Sequence, residues 1–126
     1  MEPEASSAEG FHFLQFANPF AISIDDEKWD GTAYPLSDLY IDGEDLSKRF
    51  PDWDVGQPDG SAVKCDSPYE FRHTLSTIMN RMTGNGFSLL GLWEWMKKEE
   101  TTQPGSWAHF TQVIPPWFST FWRLDK

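Results

Sequence analysis

Large apolar residues alternate with polar ones through Phe11-His12-Phe13-Leu14-Gln15-Phe16, and that period of two predicts a strand over residues 11–16. Asn18-Pro19 ends it, because proline has no N–H to offer a ladder. Phe87 to Trp95 (FSLLGLWEW) is a denser apolar run, which reads as a second strand, largely buried. Trp117 to Leu124 (WFSTFWRL) makes a third. Pro115-Pro116 just before it stops a short helix that Ser106 caps and that reaches Val113. A different period marks the middle of the chain. Phe71, Leu75, Ile78, Met79 and Met82 fall at i, i+4, i+7, i+8 and i+11, one apolar stripe of a helix that closes at Gly84 or Gly86. Ser67-Pro68-Tyr69-Glu70 has the form of a capping box with proline at the first helical position, so the helix is expected to open there and to pack on the sheet.

Between residues 21 and 60 the periodicity gives way to acidic turn signals: Asp25-Asp26, Asp30-Gly31, Asp42-Gly43 and Asp59-Gly60. Irregular hairpins are expected rather than helices. Asp59-Gly60 is the best of these turns and should join Trp53–Val55 to Ala62–Cys65. Residues 1–10 offer nothing to bury and read as a flexible leader, and Lys97 to Gly105 as a charged, mobile connector. The pattern as a whole predicts a single α+β domain over residues 11–126, with no internal repeat.

Composition narrows the function. Ten Lys and Arg against twenty Asp and Glu give a net charge of -10, a field that repels nucleic acid and anionic membrane surfaces. The start of the chain is polar and acidic, unlike a signal peptide, and no apolar run reaches the roughly 18 residues of a membrane span. The one cysteine, Cys65, excludes an internal disulfide and suits a reducing compartment, so a cytoplasmic protein is expected. Seven Trp, ten Phe and three Tyr are many for this length. Such residues are usually core or interface mass, and less often a stacking surface for a flat ligand.

Complete catalytic constellations are missing from the sequence. His12, His73 and His109 are scattered, without zinc-ligand spacing. Asp25-Asp26-Glu27 lacks the loop pattern of a calcium site and reads as a solvated turn. Gly84-Asn85-Gly86 suits a helix end better than a phosphate cradle, and neither a nucleophile elbow nor a P-loop is present. His73, beside Arg72 at the expected helix start, is the histidine best placed to meet a ligand. A neutral imidazole there could hydrogen-bond to substrate or act as a base near neutral pH.

The order of these elements is familiar: a strand ending in Asn18-Pro19-Phe20, a hairpin insertion, Tyr69-Glu70-Phe71-Arg72-His73-Thr74-Leu75-Ser76 opening a helix, Gly86-Phe87, a strand, Pro115-Pro116-Trp117-Phe118 and a closing strand. It resembles the C-terminal half of class I S-adenosylmethionine-dependent methyltransferases of the small-molecule type, over roughly residues 10–125. The resemblance implies a partial Rossmann-like fold. Strands at 11–16, 117–124 and 87–95 would stand for strands 5, 7 and 6 of that fold, a small mixed sheet with a hairpin insertion, packed by one main helix. That family binds its cofactor on strands 1 to 4, with a glycine-rich turn and an acidic residue that have no counterpart here.

What the resemblance carries over is therefore the substrate side: Asn18 and Phe20 at the end of the first strand, and Arg72 and His73 at the helix start, as substrate-binding residues. Catalytic, cofactor-binding and metal-binding residues are not expected on the chain, nor is activity in isolation. S-adenosylmethionine would bind only if another chain completed the fold. The strand at 11–16 would be a bare sheet edge, which implies a partner, either a second copy or a separately encoded cofactor half. A small-molecule substrate remains an expected ligand; nucleic acid and membrane do not. A different reading stays open, a non-enzymatic interaction module built on exposed aromatics, and the exposure of Trp29, Trp53 and Trp107 would separate the two.

Overall fold

A computed structural model describes residues 10–96 and 101–125, so the expected leader (apart from Gly10) and residues 97–100 of the connector lie outside the described residues. The fold is mixed α and β. Five strands and two α-helices follow in the order β1 (Phe11–Ala17), β2 (Asp52–Gly56), β3 (Ala62–Asp66), α1 (Leu75–Gly84), β4 (Phe87–Trp95), α2 (Trp107–Val113) and β5 (Trp117–Leu124). Short 3-10 turns at Ala21–Ser23 and Leu46–Lys48 interrupt the loops. The chain divides into two compact units, one holding the described residues up to Tyr40 and from Leu75 onward, the other Ile41–Thr74.

The first unit is built on a three-stranded sheet in the order β1-β5-β4. β5 runs antiparallel to both neighbours, with Phe13 opposite Phe121 on one side and Trp93 opposite Ser119 on the other. The expected mixed sheet is thus corrected: every strand pair among the described residues is antiparallel, because β1 and β4 both pair with the oppositely directed β5 and never with each other.

Alternation along β5 sorts its side chains onto two faces. Phe118, Thr120 and Trp122 point to one and are buried, Trp122 and Thr120 completely. Phe16 meets Phe118 edge-on at 5.8 Å. Because a buried indole N–H needs an acceptor, Trp122 Nε1 donates to Thr120 Oγ1 (2.8 Å), and that hydroxyl donates in turn to the Leu14 carbonyl (2.9 Å). The other face carries Phe11, Phe13, Phe121, Trp117, Trp93 and Trp95. A bulge in β4 puts the last two there. Leu89 opposes Trp122 and Gly91 opposes Phe121, so Leu90 is an extra residue and the alternation changes phase after it.

The expectation that β4 is largely buried is corrected by the same geometry. Leu89, Leu90, Leu92, Trp93 and Trp95 are all exposed, since β4 lies at the sheet edge and α1 packs against it without burying any residue of its own completely. An apolar run is the signature of a strand covered on both faces, and the described residues cover β4 only in part.

The helix also begins later than its apparent cap. Leu75, Ile78, Met79 and Met82 do form a half-buried stripe, and Gly86 takes a φ of 88° just after the helix, where a residue with a Cβ would be strained. Ser67 to Thr74, however, are extended. Leu46 N–H donates to Glu70 O (2.7 Å), Arg72 N–H to Glu44 O (2.8 Å) and Gly43 N–H to Arg72 O (2.8 Å), so this segment is stitched to residues 43–46 before any helical turn can claim its amides. Phe71 thereby leaves the helix. Thr74 N–H then bonds to the Asp42 carboxylate (2.7 Å) and Leu75 N–H to the Tyr40 hydroxyl (2.7 Å), two amides of the helix start satisfied from outside it.

The second unit contains the hairpin as expected. Trp53 opposes Cys65 and Val55 opposes Val63 on one face, while Lys64 bridges Asp52 (3.1 Å) and Asp54 (3.3 Å) on the other. Gly60 supplies the positive φ of its turn. All strand residues of β2 and β3 are exposed, and Leu46 is the buried apolar anchor of this unit.

Candidate functional site

The loop leaving β1 is held in one shape by Asn18. Its backbone N–H donates to Pro116 O (2.8 Å) and its side-chain Nδ2 to Pro115 O (2.8 Å), tying the end of β1 to the start of β5. Its Oδ1 accepts from Phe20 N–H (3.0 Å), which turns the chain into the 3-10 segment Ala21–Ser23. Asn18 and Pro19 are buried, whereas Phe20 projects outward. Asparagine is suited to such a place because it both donates and accepts from one short side chain.

The chain then returns alongside this segment. Ile24 bridges Leu36, Asp25 N–H donates to Pro35 O (3.1 Å), and Ser37 N–H to Ser23 O (2.9 Å). Leu36, Asp38 and Tyr40, spaced two apart on the returning segment, face Phe20 and Ser23 across a cleft of about 300 Å³. The Phe20 and Tyr40 rings stack at its rim, 5.2 Å between centroids and 20° apart. The Tyr40 hydroxyl, which accepts from Leu75 N–H, pins that ring to the start of α1. Mostly apolar walls with one acidic residue among them are a usual make-up of a small-molecule site. Of its residues the sequence pointed to Phe20 alone. The alternation of Leu36, Asp38 and Tyr40 was the available signal, but a five-residue stretch between turn signals is too short to distinguish from a loop.

Arg72 and His73 belong to the other unit. Arg72 is completely buried and its Nε donates to Glu44 Oε2 at 2.8 Å, while half of the Glu44 side chain stays in solvent. His73 is exposed, its Nδ1 4.0 Å from Asp42 Oδ1. Of this pair only His73 meets a solute directly. Asn18 and Phe20 are therefore neighbours in one unit, and Arg72 and His73 neighbours in the other.

A third grouping has no sequence signal, because its members are far apart in the chain. The Tyr34 hydroxyl lies 2.7 Å from His109 Nδ1, and Gly105 N–H donates to the same nitrogen at 3.3 Å. A backbone N–H can only donate, so Nδ1 is an acceptor and the Tyr34 hydroxyl donates to it. Trp29 packs on both rings at 4.8 Å. Burial raises the Tyr34 hydroxyl above the ordinary tyrosine range; the Gly105 N–H works against that and the Asp26 charge adds to it. Trp29 is half-buried here, whereas Trp53 on the hairpin and Trp107 on α2 are exposed.

Among the described residues no group of three or more His, Cys, Asp or Glu is placed to hold a metal ion, and no helix is long and apolar enough to cross a membrane. No protein-family model, curated protein or solved structure matches the chain.

Proposed function

We propose that this chain is the substrate-side, C-terminal part of a class I S-adenosylmethionine-dependent methyltransferase, with the cofactor-binding half supplied by other polypeptide. The observation that carries the reading is the strand order β1-β5-β4, the central strand antiparallel to both others, with a hairpin insertion and α1 between β1 and β4. This is the 5-7-6 arrangement that the motifs imply for strands 11–16, 117–124 and 87–95. Strand order is a stringent feature, since three strands in this chain order could pair in several other ways.

The described residues do not fit the cofactor. A glycine-rich turn leading from a parallel strand into a helix would be needed, and Gly84-Asn85-Gly86 does the reverse, ending α1 and entering β4. No chemical step through S-adenosylmethionine is assigned to this chain. Its part is to wall the substrate: in the first unit Phe20 lines the cleft and Asn18 holds that loop, while in the second His73 is exposed beside buried Arg72, each unit taken by itself. Such walls act by orientation, which is most of what methyl transfer asks of a substrate site.

A second reading rests on a separate observation. The sheet face bearing Phe11, Phe13, Trp93 and Trp95 is exposed, and β1 offers its outer edge, which together suit an interaction module that docks another chain. Isolation of the tagged chain from its own cells under native conditions, followed by calorimetric titration with S-adenosylmethionine, decides between them. Saturable cofactor binding by the isolated assembly, absent from the chain produced alone, supports the methyltransferase reading. Binding by neither preparation overturns it in favour of the interaction module.

A further inference from the structure

The cleft beside the stacked Phe20 and Tyr40 rings is lined by five residues, and Asp38 is the one that carries a charge. Its other lining residues are Phe20 and Tyr40, each less than half exposed, with Leu36 and Ser23. Asp38 is only partly exposed, and its position is fixed by the bond from its own N–H to Ser23 O (3.3 Å) and from the Ser37 hydroxyl to Oδ1 (3.2 Å). A carboxylate held beside two stacked aromatic rings is a recognition surface of one kind. The carboxylate accepts charge-assisted hydrogen bonds from an N⁺–H, and the negative ring faces attract the same positive charge. An anionic ligand would meet both unfavourably, within a molecule whose net charge is already -10.

We propose that this cleft binds a small organic cation, an ammonium group carried on an apolar or aromatic body, with the ammonium at Asp38 and the body against Phe20, Tyr40 and Leu36. A volume of about 300 Å³ lies at the lower end of small-molecule sites, which run from roughly 300 to 1,000 Å³. A single-ring amine suits that size; a nucleotide or a peptide does not. The rigid setting adds to this. Asn18 fixes Phe20 from one side and Leu75 N–H fixes the Tyr40 hydroxyl from the other, so the walls exist before the ligand arrives. The inference goes beyond the methyltransferase reading and does not depend on it, because ligand binding here needs no cofactor.

The test is a calorimetric titration of the chain with 2-phenylethylammonium at neutral pH and low salt, beside 2-phenylethanol, its neutral analogue of similar size. The ammonium should bind saturably and about tenfold or more tighter than the alcohol, the factor that about 1.4 kcal/mol of charge recognition provides. Asp38→Asn should remove that difference, and Phe20→Ala should weaken both probes. Circular dichroism checks that each variant is folded, and Glu94→Gln, an exposed charge on β4, serves as a control for general attraction to an acidic surface. Equal binding of both probes overturns the proposal, as does binding unchanged by Asp38→Asn, an equal loss in Glu94→Gln, or no saturable binding of the ammonium at all.

Discussion

The two faces of the β1-β5-β4 sheet carry nearly the same kind of residue and have opposite fates. One holds Phe118, Thr120 and Trp122, buried beside Leu14 and Phe16 of the neighbouring strand; the other holds Phe11, Phe13, Trp93 and Trp95, more than half or nearly half of each in water. Hydrophobicity alone cannot tell them apart. The buried face takes in a polar residue, Thr120, because its hydroxyl accepts from the Trp122 indole N–H and donates to the Leu14 carbonyl. The exposed face has rings in contact among themselves, Phe11 on Phe121 at 5.5 Å and Trp95 against Trp117 at 5.4 Å, and Trp107 of α2 meets Trp117 at 6.1 Å. Exposed apolar patches are where proteins commonly meet partners, and it is on this face that the second functional reading rests.

The largest effect should come from the buried face. Trp122→Ala is expected to cost about 3–5 kcal/mol of folding stability, measured from urea unfolding, whereas Trp93→Ala should stay near the roughly ±0.5 kcal/mol of surface changes. Equal losses would break the comparison and mean that the second face is covered in solution. Thr120→Val sharpens it on the polar side. The replacement keeps the shape but leaves the Trp122 N–H without its acceptor and the Leu14 carbonyl without the Thr120 donor, a loss of about 1–3 kcal/mol. Ser119→Val, one residue along and on the other face, should be close to neutral.

The exposed face is tested by adding charge rather than removing bulk. Phe13→Lys combined with Trp93→Lys should lower the binding of a hydrophobic dye and any self-association seen by light scattering, with little change in the urea midpoint. A dye signal that stays unchanged would place the patch elsewhere. The smallest effect lies in the turns, where both faces should respond alike. Side-chain and backbone hydrogen bonds from Thr32, Ala33, Ser47 and Ser61 hold the Asp30, Asp45 and Asp59 carboxyls below their ordinary value of 3.8, and Ser88 with Arg123 does the same for Asp125. Groups depressed in the folded state stabilise it above the unfolded value and lose that contribution as pH falls through the folded one. Stability should thus decline modestly below about pH 4, and asparagine at these four positions should flatten the decline in an acid titration followed by circular dichroism.

Much of the secondary structure was legible because it depends on short-range pattern. β1, β4 and β5 lie where alternation or apolar density placed them, the β2–β3 hairpin forms around Asp59-Gly60, and Ser106 accepts from His109 N–H as the cap of α2. The start of α1 was not legible. Ser67-Pro68-Tyr69-Glu70 satisfies the local rule for a helix start, yet residues 43–46 take the Arg72 N–H and the Glu70 and Arg72 carbonyls in three backbone bonds. Capping is worth about 1 kcal/mol, too little to resist that exchange. The cleft was half legible. Phe20 stood out beside Asn18-Pro19, but Leu36, Asp38 and Tyr40 join it only through the bridge between Ile24 and Leu36.

By itself the sequence determined the α+β class, the places of five strands and of α2, the stripe and end of α1 but not its start, the acidic field and the lack of metal-ligand spacing, all properties of composition or of residues within a few positions of one another. The tertiary structure alone decided which aromatics are buried. A bulge at Leu90 shifts Trp93 and Trp95 onto the face of Phe121, where both stay exposed. It alone decided also that Asp38 stands beside Phe20 and Tyr40, and that Tyr34 donates to His109. The physical reason is the same in each case: periodicity fixes which residues share a face, but only long-range pairing determines what, if anything, lies against it.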